Sequence, residues 1–187
     1  EELALIERDK PPAGKFLDVG CNMGMLLRLA SRRGWTAVGV EPSTALAGLA
    51  RRHEGVTIHN CFLHEMPAEE AGSFDVVALS DVLEHICEPL GFLREAAKLL
   101  APDGVLYVRV PNALWNLFKQ RVLRLMGYRP AQGVWDAYEH VGHYRQQTLI
   151  RMLAAAGFRV ARTTIARPVQ VPVWEQYVGQ YYQYPCP

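Results

Sequence analysis

Apolar and polar positions along the chain switch between a two-residue and a helical period. Short β-favouring runs recur at 16–19, 36–40, 56–60, 73–79 and 105–110. The stretches between them carry apolar residues at helical spacing. The run at 73–79 is nearly continuous in apolar character, which suits a strand covered on both faces. Leu90, Leu93, Ala97 and Leu100 fall on one side of a helix predicted over 88–100, and Ala101-Pro102-Asp103-Gly104 makes the turn into the next strand. Before the first strand, 1–9 reads as the end of a helix stopped by Pro11-Pro12. Strands alternating with helices predict an α/β, doubly wound, mainly parallel sheet.

The pattern changes after Pro111. The predicted helix over 113–126 carries Leu114, Trp115, Leu117, Phe118, Val122, Leu123 and Leu125, too many large apolar groups for a free surface helix. A Gly/Pro loop and the cluster Trp135, Tyr138, His140, His143 and Tyr144 follow. The segment 111–144 therefore reads as an insertion at the C-terminal edge of the sheet, where open α/β sheets bind ligands. Beyond it, a helix over 148–156, a strand over 158–165 and a weaker strand over 169–174 are expected, with no assignment for the Tyr-rich end.

Composition narrows the class. The chain has 187 residues, half of them hydrophobic, which fits a single domain over 1–187 with one core. A formal charge of +1 exerts no net pull on nucleic acid, and no basic stripe with interleaved aromatics favours such a partner. The four cysteines lack the paired spacing of a structural zinc site. No apolar run approaches the roughly 20 residues of a bilayer span, so the reading is cytoplasmic.

The candidate chemistry begins in Phe16 to Ala30, FLDVGCNMGMLLRLA. A strand enters Gly20, and Gly24 leads into a helix. Such a turn lets a ligand approach exposed backbone amides. Asn22 stands where a dinucleotide fingerprint needs its middle glycine, and no third glycine follows Gly24, so a pyrophosphate is disfavoured. Asparagine does tolerate positive φ. Glu41, at the end of the second strand, can accept both hydroxyls of a ribose. The pair specifies a nucleoside without requiring phosphates.

These residues carry a resemblance. DVGCNMG followed by VGVEPS is similar to motif I and the acidic second-strand end of class I S-adenosylmethionine-dependent methyltransferases, and the likeness continues through 73–112 and 139–160. It is nearest to the small-molecule branch of ubiquinone-type and sugar-modifying enzymes. The resemblance implies a Rossmann-like sheet of seven strands, with helices on both faces and a lid after strand five. It implies S-adenosylmethionine as cofactor, S-adenosylhomocysteine as product, and transfer of methyl to a small acceptor, an oxygen nucleophile first.

It also implies site residues. Asp18, Gly20, Cys21, Asn22, Gly24, Glu41 and Pro42 hold the cofactor, Phe62 and Leu63 form an adenine wall, and Ser80 and Asp81 border the methyl. Phe62 stands where relatives often place an adenine-contacting aspartate; its ring can stack but cannot accept the amino group. His85 follows one turn after Asp81, where a histidine would serve as general base on an acceptor hydroxyl or brace its loop through hydrogen bonds. Arg109, near the end of a buried strand, needs a carboxylate partner, either from the protein or from an anionic substrate. Trp115, Trp135, Tyr138, His140 and His143 are assigned to the acceptor side. Spacing of the two histidines off a firm helix is poor evidence for a metal, and none is assigned.

Two other readings keep different classes open: a catalytically silent S-adenosylmethionine-binding module that scaffolds a partner, and a nicotinamide oxidoreductase, which the turn composition opposes. An apolar lid surface left uncovered would serve to pair two copies.

Overall fold

The computed structural model describes residues 2–53, 55–127 and 140–164, the side chains of 115, 116, 119 and 120 excepted. Five strands, β1 (Lys15–Val19), β2 (Thr36–Val40), β3 (Val56–His59), β4 (Phe74–Ser80) and β5 (Leu100–Arg109), form one sheet in the order β3-β2-β1-β4-β5. Every pairing is parallel. The helices are α1 (Glu2–Asp9), α2 (Met25–Arg32), α3 (Thr44–Ala50), α4 (Pro89–Leu99), α5 (Ala113–Leu125) and α6 (Gln146–Ala155). No helix among the described residues is long and apolar enough to cross a membrane.

The two-residue period of the strands builds two cores. Phe16, Ala37, Val76 and Ala78 face one way, onto Leu3 and Ile6 of α1, Leu27 and Ala30 of α2, and Ala47 and Ala50 of α3. Leu17, Val38, Val77 and Leu79 face the other way, onto Leu93 and Ala96 of α4, with Leu149 and Met152 of α6 packed against them. Helices thus cover both faces, as a parallel sheet with apolar residues on both sides requires.

The turn after β1 depends on left-handed backbone. Gly20, Asn22 and Gly24 have φ of 67°, 51° and 77°. A Cβ on Gly24 would lie 3.0 Å from the Cβ and 3.2 Å from the Cα of Ala50, so α2 starts in close contact with α3. Gly24→Ala combines that crowding with the roughly 1–2 kcal/mol cost of an L-residue in this conformation. Its urea midpoint should fall by at least that equivalent; an unchanged midpoint would show that the turn does not need this geometry.

Several expectations are corrected. Among the described residues the sheet has five strands, not seven. Residues 158–164 are irregular and find no strand partner there, because hydrophobic pattern alone does not supply the neighbour a strand needs. The turn at 101–104 lies within β5 as an irregularity, the β4 register jumping from Phe74↔Leu100 to Val76↔Val105. The helix α5 forms where predicted, capped by the Asn112 side chain, which accepts from Leu114 N at 3.0 Å. On it the side chains of Leu114, Leu117 and Leu125 are exposed among the described residues. The predicted strand over 169–174, the Tyr-rich end, Trp135, Tyr138 and the side chain of Trp115 lie outside the described residues.

Candidate active site

The C-terminal tips of β1 and β2 are tied together by the chain itself. Gly20 N and Cys21 N both donate to Val40 O, at 2.8 and 3.1 Å, and Gly24 N closes the turn on Cys21 O at 2.8 Å. Glu41, buried to 6% exposure, completes the join from the other side. Its Oε2 accepts from Asn22 N at 3.0 Å and its Oε1 from Ser43 N at 2.8 Å. Asn60 fixes the backbone beneath, donating through Nδ2 to the carbonyls of Glu41 at 2.8 Å and Pro42 at 3.0 Å. An ionised carboxylate has about four lone-pair sites, so each Glu41 oxygen keeps acceptor capacity after these bonds. Two adjacent hydroxyls are the complementary group.

Asp18 lies one residue below the tip of β1, 4% exposed. Burial, then the charges of Glu2 and Glu41, push its carboxyl up to about 8. The same burial and neighbouring acids raise the thiol of Cys21, which is inert packing beside the cradle. Asp18 therefore holds a proton near neutral pH until a cation arrives beside it.

The next tips carry an ion cluster. Ser80 and Arg109 are paired across β4 and β5. Arg109 donates through Nε to Asp81 Oδ1 at 3.2 Å and through Nη2 to Oδ2. Its Nη1 lies 3.0 Å from Oε2 of Glu2, on α1. Ser80 Oγ donates to Oε1 of the same Glu2. Arg109 thus meets the protein carboxylates of Asp81 and Glu2. Asp81 itself sits at φ 54°.

A second cluster follows β4. Glu84 is 1% exposed, and among the described residues neither of its carboxylate oxygens meets a hydrogen-bond partner. Burial pushes its carboxyl up to about 7, the charge of Asp81 adding in the same direction. His140 Nε2 lies 4.0 Å from Glu84 Oε1, and the rings of His85 and His140 meet edge-on with centroids 4.9 Å apart. His143 lies 6.3 Å beyond His140. One ligand-type atom each from Glu84, His85 and His140 falls within 4.8 Å of the others. The segment after 139 is docked there by Gly142 N to Glu84 O at 2.9 Å and Tyr144 Oη to Leu83 O at 3.2 Å. Tertiary contact thus brings His85 to His140 and His143, which lie more than fifty residues further along the chain.

On the far side, Leu63 is buried and Phe62 is 44% exposed, its ring stacked on His64 at 5.8 Å. An open groove between the 63–64 turn and the start of α4 shares only Leu63 with the residues assigned to the cofactor.

This geometry agrees with what the chain is similar to. The methyltransferase-domain family matches residues 1–163. The chain belongs to that family. A ubiquinone biosynthesis O-methyltransferase from Caulobacter sp. strain K31 is 37% identical over 122 residues, covering 60% of this chain and 48% of the relative. Another of the same name, from Aromatoleum aromaticum, is 28% identical and covers 83% and 69%. The methyltransferase domain described here spans about half the length of the first of these relatives. A SAM-dependent methyltransferase structure from Thermotoga maritima superposes with a TM-score of 0.64 at 22% identity, covering 85% of this chain and 70% of that one, which shows the shared α/β Rossmann-like fold.

Family and fold imply S-adenosylmethionine as the cofactor, and the methyltransferase domain has residues that fit it. Glu41 presents oriented acceptors for a diol, the turn uses left-handed backbone without room for side chains, and Asp18 offers a buried acid for an ammonium. Sequence reasoning missed Glu2, Tyr107 and the burial of Glu84. In the sequence Glu2 is one acid of a short acidic helical segment, with nothing to mark it for the site.

Proposed function

We propose that this chain transfers a methyl group from S-adenosylmethionine to a hydroxyl oxygen of a small molecule. The reading takes 1–187 as one domain, with 111–144 covering the acceptor. The observation that carries it is the Glu41 carboxylate, turned into the mouth of the glycine turn by the amides of Asn22 and Ser43. The O-methyltransferase names of relatives at 33–37% identity support oxygen as the acceptor atom.

When bound, S-adenosylmethionine supplies a methyl group already activated on a sulfonium. Gly20, Cys21, Asn22, Gly24 and Pro42 shape the cradle, Glu41 holds the ribose, and Asp18 receives the ammonium end. Phe62 and Leu63 wall the adenine, and Ser80 and Asp81 border the reacting carbon. His85 would take the proton that the acceptor hydroxyl gives up when its oxygen displaces the thioether sulfur from the methyl carbon, and His140 lies against its ring. Alignment supplies much of the rate, since proximity and orientation are worth up to about 7–11 kcal/mol. His143, Trp115, Trp135 and Tyr138 belong to the acceptor side. The same reading places the protein in the cytoplasm without a nucleic-acid partner. The exposed apolar face of α5 is the surface through which two copies would pair.

The test is calorimetric binding of S-adenosylhomocysteine, followed by transfer of labelled methyl to catechol and to an amine of matched size. Binding with label on the catechol is expected. Label on the amine alone overturns the oxygen assignment, and binding with no transfer to either favours the silent module.

A further inference from the structure

One face of the sheet ends in a row of donors aimed at a carboxylate of the protein's own first helix. Tyr107 is level with Ala78 and Asp18, while Ser80 and Arg109 are level with each other one step nearer the tips. Residues two apart on a strand share a face, so Tyr107 and Arg109 point to the same side. It is the side on which Leu3 and Ile6 seat α1. Glu2 arrives there. The Ser80 hydroxyl donates to Oε1 and Arg109 Nη1 lies 3.0 Å from Oε2, while the Tyr107 hydroxyl stands near enough to feel the Glu2 charge.

Three features mark this arrangement as a receptor rather than a helix anchor. First, Arg109 serves two acids at once, Asp81 through Nε and Nη2 and Glu2 through Nη1, so the Nη1 edge can change partner while Asp81 stays bound. Second, α1 has other attachments: the Leu3 and Ile6 packing, Glu7 paired with Arg33 at 2.6 Å, and Asp9 paired with Arg162 at 2.8 Å. Third, Glu2 places a further negative charge beside Asp18 and Glu41, and that charge opposes ionisation of Asp18. A carboxylate that brings an ammonium with it relieves the repulsion. The side chains of Arg109 and Glu2 are 27% and 23% exposed, so the pair is reached from solvent at its edge.

The geometry points to a carboxylate-binding subsite made by Ser80 and Arg109, with Tyr107 beside them, at the edge of the cradle, which Glu2 occupies as an internal stand-in until the carboxylate of a small-molecule ligand displaces it. The inference rests on the methyltransferase reading for what lies next to the subsite. The ligand carboxylate has two sources: the amino-acid end of the cofactor, or an acidic acceptor.

Calorimetry on the 187-residue chain separates them, using S-adenosylhomocysteine, 5′-methylthioadenosine, which lacks the amino-acid end, and benzoate. If the cofactor supplies the carboxylate, Glu2→Gln tightens S-adenosylhomocysteine about fivefold or more and leaves 5′-methylthioadenosine unchanged. If the acceptor supplies it, both nucleosides are unchanged, benzoate binds Glu2→Gln more tightly than the parent protein, and adding Arg109→Gln abolishes the gain. A urea midpoint for Glu2→Gln within error of the parent keeps the comparison fair, and this variant decides even if Arg109→Gln folds poorly. The subsite is overturned if Glu2→Gln changes neither S-adenosylhomocysteine nor benzoate affinity. Failure of the parent protein to bind S-adenosylhomocysteine would sink the methyltransferase reading instead, and the benzoate comparison would then decide the subsite alone.

Discussion

Glu41→Ala should weaken S-adenosylhomocysteine binding at least tenfold. Two charge-assisted hydrogen bonds to a ribose diol are each worth about 1.5–3 kcal/mol, and a single one at the low end already corresponds to tenfold. The substitution does more than remove ligand contacts. The same carboxylate accepts from Asn22 N and Ser43 N, so its loss leaves the turn after β1 and the start of α3 without their shared brace. Glu41→Gln separates the effects: its amide oxygen can still accept from one backbone N–H, but its NH2 group faces the other donor. Both variants should bind weakly in calorimetry, with alanine the weaker. Unchanged affinity in Glu41→Ala would refute the ribose assignment.

Asp18→Asn should remove a pH dependence that the parent protein shows in both stability and binding. The folded carboxyl sits at about 8, raised by burial and then by Glu2 and Glu41. An unfolded aspartate titrates near 3.9. Between about pH 4 and 8 the folded protein therefore holds a proton that the unfolded chain has lost. Stability is full below that window and falls as pH rises through it, with a slope approaching about 1.4 kcal/mol per pH unit from this group alone. Glu84, raised to about 7, adds a slope of the same sign up to that pH. Urea midpoints of the ligand-free protein should drop from pH 5 to 7.5, and less steeply in Asp18→Asn. Binding shows the complement. A ligand ammonium beside Asp18 favours its ionised form, so S-adenosylhomocysteine should release close to one proton at pH 7 from the parent and none at this site from the variant. Equal proton release, measured in buffers of different ionisation enthalpy, would show that Asp18 does not meet the ammonium.

Much of the cradle was legible because it is local. Gly20, Asn22 and Gly24 lie within one turn, and the tolerance of asparagine for positive φ anticipated the 51° found at Asn22. Glu41 stood out as an acid closing an apolar strand, and the parallel pairing of β1 with β2 brings it beside that turn. The α5 helix was legible as a helix, but what its apolar residues cover was not. Periodicity shows which residues share a face, but not whether anything packs against that face. The strand expected over 158–165 finds no partner among the described residues for a related reason. A strand exists only through its neighbour, and that neighbour is remote in sequence.

By itself, the sequence determined the alternation of strands and helices, the glycine turn and the acid at the end of β2, because each follows from propensities and spacings within a few residues. Only the tertiary structure decided who partners Arg109, where Glu2 lands and that Glu84, His85, His140 and His143 converge. Those outcomes depend on strand order, register and the docking of α1 and the segment after 139. Charge attraction and desolvation act through space, and the chain's own order does not state those distances.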